Sequence, residues 1–323
     1  MLITGGAGFI GSHLAEALLE RGYGVHVIDD LSTGCSENIA HLTSHPRFHF
    51  AVDTVLDETV LDRLIGQCEV VFHLAAAVGV EFIVRDPIHV IETNVLGTQA
   101  VLEVASRHRR KVLLASSSEI YGKSEAVPFR EESDRLLGPT TRARWGYSAS
   151  KAVDEHLSLA YHGQKGLPVV IFRPFNTIGP RQTGRHGMVV PRFVSQALAG
   201  EPVRVYGDGS QRRGFCDVRD VALGMISLME HPQAVGEMFN LGSSREVSIL
   251  DLARTVLSLV EGDGCRFEER ISFVPYEEAY APGFEDLSRR QPDLTKIQRL
   301  IGWRARIPLE ETLRAVIRHQ RRA

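Results

Sequence analysis

The stretch MLITGGAGFIGSHLAEALLERG, residues 1–22, decides the fold of this chain. A short apolar run, LIT, leads into Gly5, Gly8 and Gly11 in a G-x-x-G-x-x-G arrangement, and a helical pattern follows over residues 12–21. A tight turn from strand to helix needs residues without a Cβ, and a pyrophosphate needs a close backbone and the unpaired N–H groups of a helix N-terminus. The stretch therefore predicts a dinucleotide site at the first strand of a parallel sheet.

The following segments alternate in the same way as far as about residue 175. The runs VHVID, VVFHLAA, KVLLASSS and PVVIFRPFN are apolar on both faces and are separated by helical patterns, including those at 86–108 and 147–165. Such strands favour a parallel sheet covered by helices on both sides. We predict an α/β protein in which residues 1–175 form a Rossmann-type, doubly wound domain that binds a dinucleotide. Residues 176–323, richer in Pro, Gly and Arg, are expected to form a smaller α/β substrate domain with excursions back to the first.

The composition excludes several classes of function. The chain has 323 residues, 43% of them hydrophobic, and a formal net charge of −3, which gives no electrostatic footprint for nucleic acid. Its four cysteines are scattered, without the paired spacing of a zinc site or a disulfide framework. No signal peptide and no apolar run of about 18 residues is evident. We expect a cytoplasmic protein without a metal, a nucleic-acid partner or a membrane anchor.

The second strand ends in acidic residues that indicate which dinucleotide binds. Asp29 and Asp30 follow the glycines by about twenty residues, where a carboxylate can bond the adenosine ribose hydroxyls. It would also repel a 2′-phosphate, so NAD is favoured over NADP. Asp53, after FHFAV, either reaches the adenine amino group or caps the strand end. The residues expected to contact NAD are Gly5, Gly8, Phe9, Ile10, Gly11, Asp29, Asp30, Asp53, Thr54, Leu74, Ala75, Ala76, Tyr147, Lys151 and Pro174.

Two further stretches suggest catalysis. VLLASSSEIYG, residues 112–122, places Ser116, Ser117 and Ser118 at the carboxyl end of a strand, which faces the ligand crevice in a doubly wound sheet. GYSASKAVDEH, residues 146–156, places Tyr147 and Lys151 one helical turn apart. Alone, such a pair is common on solvated helix faces.

An ordered series of motifs extends over almost the whole chain. They are TGGAGFIG, VFHLAAA, SSSEIYG, Tyr147-x-x-x-Lys151, FRPFNTIGPRQ, VYGDGSQRRGF, NLGSS and RRQPDLTKIQRLIGW. The series resembles the extended short-chain dehydrogenases/reductases of the nucleotide-sugar epimerase and dehydratase group. The resemblance implies that Tyr147 takes the proton of the sugar 4-hydroxyl as hydride leaves C4 for NAD, with Lys151 stabilising the phenolate. It also implies that Ser117 bonds the same oxygen.

The same resemblance implies a site for the nucleotide sugar. Diphosphate contacts are implied for Asn176, Arg213 and Arg290, and Val189 and Tyr206 are implied to enclose the base. The full substrate set is Ser117, Ser118, Asn176, Val189, Arg192, Tyr206, Arg213 and Arg290, with Arg185 and His186 as weaker candidates. Arginine suits this role because its fork makes paired hydrogen bonds to phosphate oxygens.

The residues after Ser117 leave the reaction open. A 4,6-dehydratase carries an Asp-Glu pair there, whereas this chain has Ser118 and Glu119. UDP-glucuronate decarboxylases also show Ser-Glu, but AAAVGV at 75–80 and VPYEEAYAPGFEDLSRRQPD at 274–293 look more like 4-epimerases. We therefore expect a UDP-sugar 4-epimerase acting on UDP-glucose or UDP-glucuronate, with a UDP-glucuronate decarboxylase as the alternative. Glu119 is either a catalytic proton carrier or a packed structural carboxylate.

Other classes are weighed by the same motifs. A non-catalytic, dinucleotide-sensing regulator would be marked by loss of Tyr147 or Lys151, and both are present. A net reductase would release its cofactor at every turnover, whereas an epimerase would retain it.

Relatives pair as dimers through the helices near 86–108 and 147–165, and Val101, Val104, Leu157 and Leu159 offer apolar area there unless they cover the sheet. We expect a homodimer.

Overall fold

A parallel sheet forms the centre of the protein. The structure is a computed structural model, and it describes residues 1–79, 83, 85–184, 187–262, 264–279 and 289–322. The strands are β1 (Leu2–Thr4), β2 (Val25–Asp29), β3 (Phe48–Val52), β4 (Val70–His73), β5 (Lys111–Ala115), β6 (Val169–Pro174), β7 (Thr177–Ile178), β8 (Val203–Tyr206), β9 (Arg212–Gly214), β10 (Cys216–Asp217), β11 (Met238–Leu241), β12 (Glu246–Ser248), β13 (Ile271–Val274) and β14 (Arg289–Arg290). Within the described residues, seven of them form one sheet in the order β11-β6-β5-β4-β1-β2-β3, and every neighbouring pair is parallel. The predicted Rossmann-type fold is confirmed.

Helices cover both faces of this sheet. They are α1 (Phe9–Glu20), α2 (Glu58–Gly66), α3 (Pro87–His108), α4 (Arg144–Lys165), α5 (Val189–Leu198), α6 (Val218–Glu230), α7 (Ile249–Glu261), α8 (Phe267–Arg270), α9 (Tyr276–Ala279), α10 (Thr295–Ile301) and α11 (Leu309–Gln320). Successive strand residues point to opposite faces, so Leu2 packs with α2, α3 and α4, whereas Ile3 packs with α1 and α6. This double burial explains the continuous apolar runs in the sequence.

The second half of the chain contributes to both parts of the molecule. Strand β11 pairs with β6 at the edge of the large sheet, with Phe239 opposite Phe172. The short strands β7–β10 and β12–β14 form small sheets, and β12, β9 and β14 form one of them. A separate apolar cluster unites α5, α7 and α11. A division at residue 175 stays a prediction, with β11 crossing back over that line.

One local expectation was wrong, and one open alternative is decided. Helix α1 begins at Phe9 rather than at residue 12, because Gly8 is extended (φ −74°, ψ 178°) and is its N-cap, and Ser12 donates to Phe9 O inside the helix. Val101 and Val104 are buried beside the sheet, and the half-buried Leu157 and Leu159 pack against the same cluster, so these four residues cover the sheet, which is the alternative that the sequence left open. As for membranes, the described part of the chain contains no helix with the length and apolarity to cross one.

Candidate active site

The glycine turn is packed too closely for side chains at its key positions. Gly5 has a φ of +69°, and a Cβ on it would lie 2.8 Å from the backbone N of Ala75. A Cβ on Gly11 would lie 2.3 Å from Gly5 O. The turn therefore rests directly on the segment after β4, which brings the predicted residues Leu74, Ala75 and Ala76 beside the glycines. The N-cap of α1 makes no side-chain hydrogen bond, so the first N–H groups of the helix suit a pyrophosphate.

Carboxylates lie at the ends of β2 and β3 on the same edge of the sheet. Asp29 is buried and accepts hydrogen bonds from the backbone N–H groups of Ala7 (2.9 Å) and Leu31 (2.9 Å), and burial raises the pKa of its carboxyl. The backbone N–H of Asp53 donates to Asp29 O (3.2 Å), so the two residues are neighbours. Asp53 also accepts from the N–H of Thr54 (2.8 Å). A carboxylate fixed against the glycine turn fits the ribose end of an NAD molecule.

The remaining residues expected at the cofactor surround this edge. Phe9 and Ile10 open α1 and are half-buried, Pro174 ends β6, and Asp30 is exposed and accepts hydrogen bonds from Ser32. Asp30 therefore bonds within the loop that follows β2. The structure brings the other residues of the predicted cofactor set to the carboxyl edge of the sheet.

Tyr147 and Lys151 are both enclosed, with 8% and 2% of their surfaces exposed. Burial raises the pKa of the Tyr147 phenol, while Lys151 and a hydrogen bond with Ser117 oppose that shift. The Ser117 hydroxyl also accepts from the N–H of Glu119 (3.1 Å), which fixes its position at the end of β5. The three predicted catalytic residues Ser117, Tyr147 and Lys151 therefore meet in one site.

Beneath this site lies a buried polar group that the sequence interpretation missed. Lys151 Nζ donates to Asp154 Oδ2 at 3.0 Å, and Asp154 is fully buried. Burial favours a neutral lysine, but Asp154 and Tyr147 outweigh it and raise the pKa of Lys151. His73, at the end of β4, contacts the hydroxyls of Thr4 (2.8 Å) and Thr98 (3.1 Å). Burial, with Lys151 nearby, lowers the pKa of His73 to about 3.

Glu119 is surrounded by arginines. Arg290 Nη1 donates to its Oε1 at 2.6 Å, and Arg144 Nη2 lies 3.5 Å from its Oε2. Burial alone would raise the pKa of Glu119, but Arg290, Arg144 and Arg213 together lower it. Arg213 and Arg290 are direct partners in the β9–β14 register, and both are buried. Glu119 is therefore an ionised carboxylate locked in ion pairs.

The other predicted substrate residues lie in two groups. Asn176, with a φ of +32°, donates its side-chain amide to Gly214 O at 3.1 Å, next to Arg213. The guanidinium of Arg192 stacks over the Tyr206 ring at 3.7 Å from its centroid, and Val189 begins the same helix as Arg192. Ser118 is buried beside Ser117. Arg185 and His186 lie outside the described residues.

Comparison with known proteins places this fold and site in a family. The sequence profile of the NAD dependent epimerase/dehydratase family matches residues 1–242. The chain belongs to this family. It is an NAD-dependent enzyme, as the glycine turn and Asp29 predicted.

Relatives of this epimerase/dehydratase family member are similar to it over nearly the whole of this chain. A UDP-N-acetyl-α-D-glucosaminuronate decarboxylase of Bacillus cytotoxicus is 41% identical over 98% of this chain and 96% of its own. UDP-glucuronic acid decarboxylase 1 of Xenopus tropicalis is 37% identical over 100% of this chain and 72% of its own. Among solved structures, a mutant UDP-glucuronic acid 4-epimerase of Bacillus cereus, bound to a UDP-fluoroglucuronic acid and NAD, has a TM-score of 0.87 and 29% identity, covering 99% of this chain and 98% of its own.

These relatives correct the expected reaction. The chain was expected to be a UDP-sugar 4-epimerase, but the curated relatives above are decarboxylases, with higher identity than the epimerase structure. The expectation was wrong because it relied on loosely similar segments at 75–80 and 274–293. The Ser118-Glu119 pair was the better indicator.

The chain also holds functional candidates that sequence reasoning overlooked. Arg144 is three residues before Tyr147, and Asp154 is seven after it; both spacings place a residue on the Tyr147 face of a helix. A charged residue on the buried face of a helix was the signal available. For Arg144 this signal could be used only once α4 was known to begin at residue 144 rather than at 147.

Proposed function

We propose that this family member is an NAD-dependent decarboxylase of UDP-hexuronates, acting on UDP-glucuronate or its 2-acetamido analogue. One observation carries the proposal: the chain is similar over nearly its whole length to two decarboxylases of such substrates. The arrangement of Tyr147, Ser117 and Glu119 supports the same chemistry.

Tyr147 is the base of the first step. It takes the proton of the sugar 4-hydroxyl, and Ser117 donates a hydrogen bond to the same oxygen. The charge of Lys151 favours the phenolate, which at the ordinary pKa of about 10 would be scarce at neutral pH. NAD, held at the glycine turn and Asp29, would supply the acceptor for the C4 hydride and the donor for the final reduction of C4.

Loss of carbon dioxide then needs no enzyme base. The 4-keto sugar with a C6 carboxylate is a β-keto acid, so breaking the C5–C6 bond releases CO₂ and sends the electron pair toward the C4 carbonyl oxygen. The Ser117 and Tyr147 hydroxyls stabilise the negative charge on that oxygen. C5 then takes a proton from solvent water, and Tyr147 returns its own proton to O4 when C4 is reduced. This route needs no carboxylic acid to expel a hydroxyl group, so it is compatible with a Glu119 that is ionised and bound to arginines.

The diphosphate binds to residues from the second half of the chain. Arg213 and Arg290 stand side by side on β9 and β14, and both are buried, so their hydrogen bonds to phosphate oxygens are little screened by water. Asn176, which contacts the backbone next to Arg213, is placed to share these oxygens. The stacked Arg192 and Tyr206, with Val189, form a flat wall for the uracil.

The protein is also proposed to act as a homodimer. The outer surface of α3 and α4 exposes Ile88 (70%), Ile91 (43%), Leu96 (47%) and Val153 (42%). Isolated apolar residues on a surface are common, but a group on two contacting helices favours a protein partner. A second copy of the same pair of helices would cover this face.

The test is incubation of the protein with NAD and either UDP-glucuronate or UDP-N-acetylglucosaminuronate, followed by proton NMR and CO₂ measurement. We expect stoichiometric CO₂ and a UDP-pentose without a C6 carbon. Tyr147→Phe, which removes only the phenol oxygen, should abolish CO₂ release while the fold persists by circular dichroism. A hexuronate product with all its carbons, or CO₂ release by the Phe variant at the full rate, would overturn the proposal.

A further inference from the structure

Lys151 is a cation in a place where a cation is costly. The side chain is 2% exposed, and a buried ammonium without a counter-ion tends to lose its proton. Asp154, one turn further along α4 and 0% exposed, lies 3.0 Å from its Nζ. Because removing either partner leaves an uncompensated buried charge, the two residues depend on each other.

The other charged or titratable groups near this pair are already engaged. Glu155 binds Arg173 with two hydrogen bonds, at 2.8 and 2.7 Å, and Glu119 binds Arg290 at 2.6 Å. His73, from β4, is neutral because of its lowered pKa. Among the described residues, Asp154 is the one carboxylate in ion-pair distance of Lys151.

We propose that Asp154 is a positioning residue that keeps Lys151 charged, so that the Tyr147 phenolate can form in a closed site. Lysine has three N–H donors, and the Asp154 bond uses one of them. The other donors remain for the Tyr147 side of the pocket and for the ribose of the cofactor. Burial raises the pKa of the Asp154 carboxyl, whereas the ion pair with Lys151 and a hydrogen bond with Thr98 lower it and so favour the carboxylate.

The proposal rests on the proposed role of Tyr147 as the base. With one proton shared between them, Tyr147 and Lys151 form either a phenolate with an ammonium or a phenol with an amine. Only the first form can take the proton of the sugar. The negative charge of Asp154 is nearer to Lys151 than to the phenol, so it favours the first form.

The direct test is the titration of Lys151 by ¹³Cε NMR. The chain has five lysines, Lys111, Lys123, Lys151, Lys165 and Lys296, so one signal can be assigned by its absence in Lys151→Met. In the unaltered protein we expect Lys151 to stay charged beyond the ordinary lysine pKa of about 10.4. In Asp154→Asn we expect its titration to fall by at least about one pH unit. A neutral Lys151 in the unaltered protein at pH 7, or the same titration in both, would overturn the proposal.

The kinetic test separates positioning from general damage. In Asp154→Asn the plateau of kcat should fall about tenfold or more. The acidic limb of the pH profile should move to lower pH, because the pair of Tyr147 and Lys151 then carries a positive charge without a counter-ion and loses its first proton more readily. Asp154→Glu should recover part of the rate. Ser158→Ala, at a buried position one turn along the same face, is the control and should leave the profile unchanged.

Failure of the Asp154 proposal and failure of the proposed function would give different results in these two tests. If the protein released no CO₂ from UDP-hexuronates, the NMR titration would still decide the role of Asp154. If CO₂ were released and Asp154→Asn kept the pH profile of the parent, Asp154 would be structural only, and the proposed function would stand.

Discussion

At the scale of single residues, Glu119 shows how charge decides a role. Its sequence position allowed either a proton carrier or a packed carboxylate, and spacing alone has no means of separating the two. The structure surrounds it with Arg290, Arg144 and Arg213, which lower its pKa. A carboxylate in that setting organises cations more readily than it transfers protons.

Glu119→Gln should make the pocket more attractive to anions. The substitution keeps the shape, removes one negative charge and releases Arg290 from its 2.6 Å ion pair. We expect the Kd for UDP to fall by about tenfold at low ionic strength, and the gain to shrink as salt is added. Isothermal titration calorimetry is the measurement, with the exposed Glu125→Gln as control. Weaker UDP binding would show that Glu119 is needed to hold the arginines in place.

At the scale of elements, the carboxyl ends of the strands build the site. Strand β2 ends at Asp29, β4 at His73 and β6 at Pro174, and Ser117 lies just beyond β5. The parallel sheet aligns these ends, so one line of strand termini holds residues that are distant in the sequence.

His73, at the end of β4, should make stability depend on pH. Its pKa is about 3 in the folded protein against 6.5 for the free side chain, so the unfolded chain binds the proton more readily. The free energy of unfolding therefore has its full value above about pH 6.5 and declines as the pH falls, by about 3 kcal/mol near pH 4. In urea unfolding, we expect His73→Gln to have a lower free energy of unfolding than the parent at pH 7, and a smaller change of that free energy between pH 6.5 and pH 4. The exposed His49→Gln should keep the parent slope; an unchanged slope in His73→Gln would contradict the assignment.

The sequence predicted elements better than contacts. The strand–turn–helix of residues 1–22 has a strong local cause, since glycines, apolar spacing and the acid at the second strand all agree. Glu119 depends on partners that are distant in the sequence, since Arg144 is 25 and Arg290 is 171 residues away from it. Long-range pairing of this kind leaves no periodic trace in one sequence.

At the scale of the whole molecule, the outer face of α3 and α4 should govern assembly. A charge at its centre would have to be buried without a partner in a dimer. We expect Val153→Glu to turn a dimer into a monomer at micromolar concentration, as measured by sedimentation equilibrium. Phe273→Glu, which alters an apolar side chain of similar exposure (55%) on β13, should stay dimeric. A parent protein that sediments as one chain would contradict the dimer.

Strand β11 gives the molecule a particular order of assembly. The edge of the large sheet at β6 is covered only when residues 238–241 arrive, more than sixty residues after β6 ends. On the ribosome, a growing chain therefore carries an open β edge for a considerable part of its synthesis, and such an edge can pair with other chains. The time that β11 takes to emerge therefore sets how long the β6 edge stays open to such pairing.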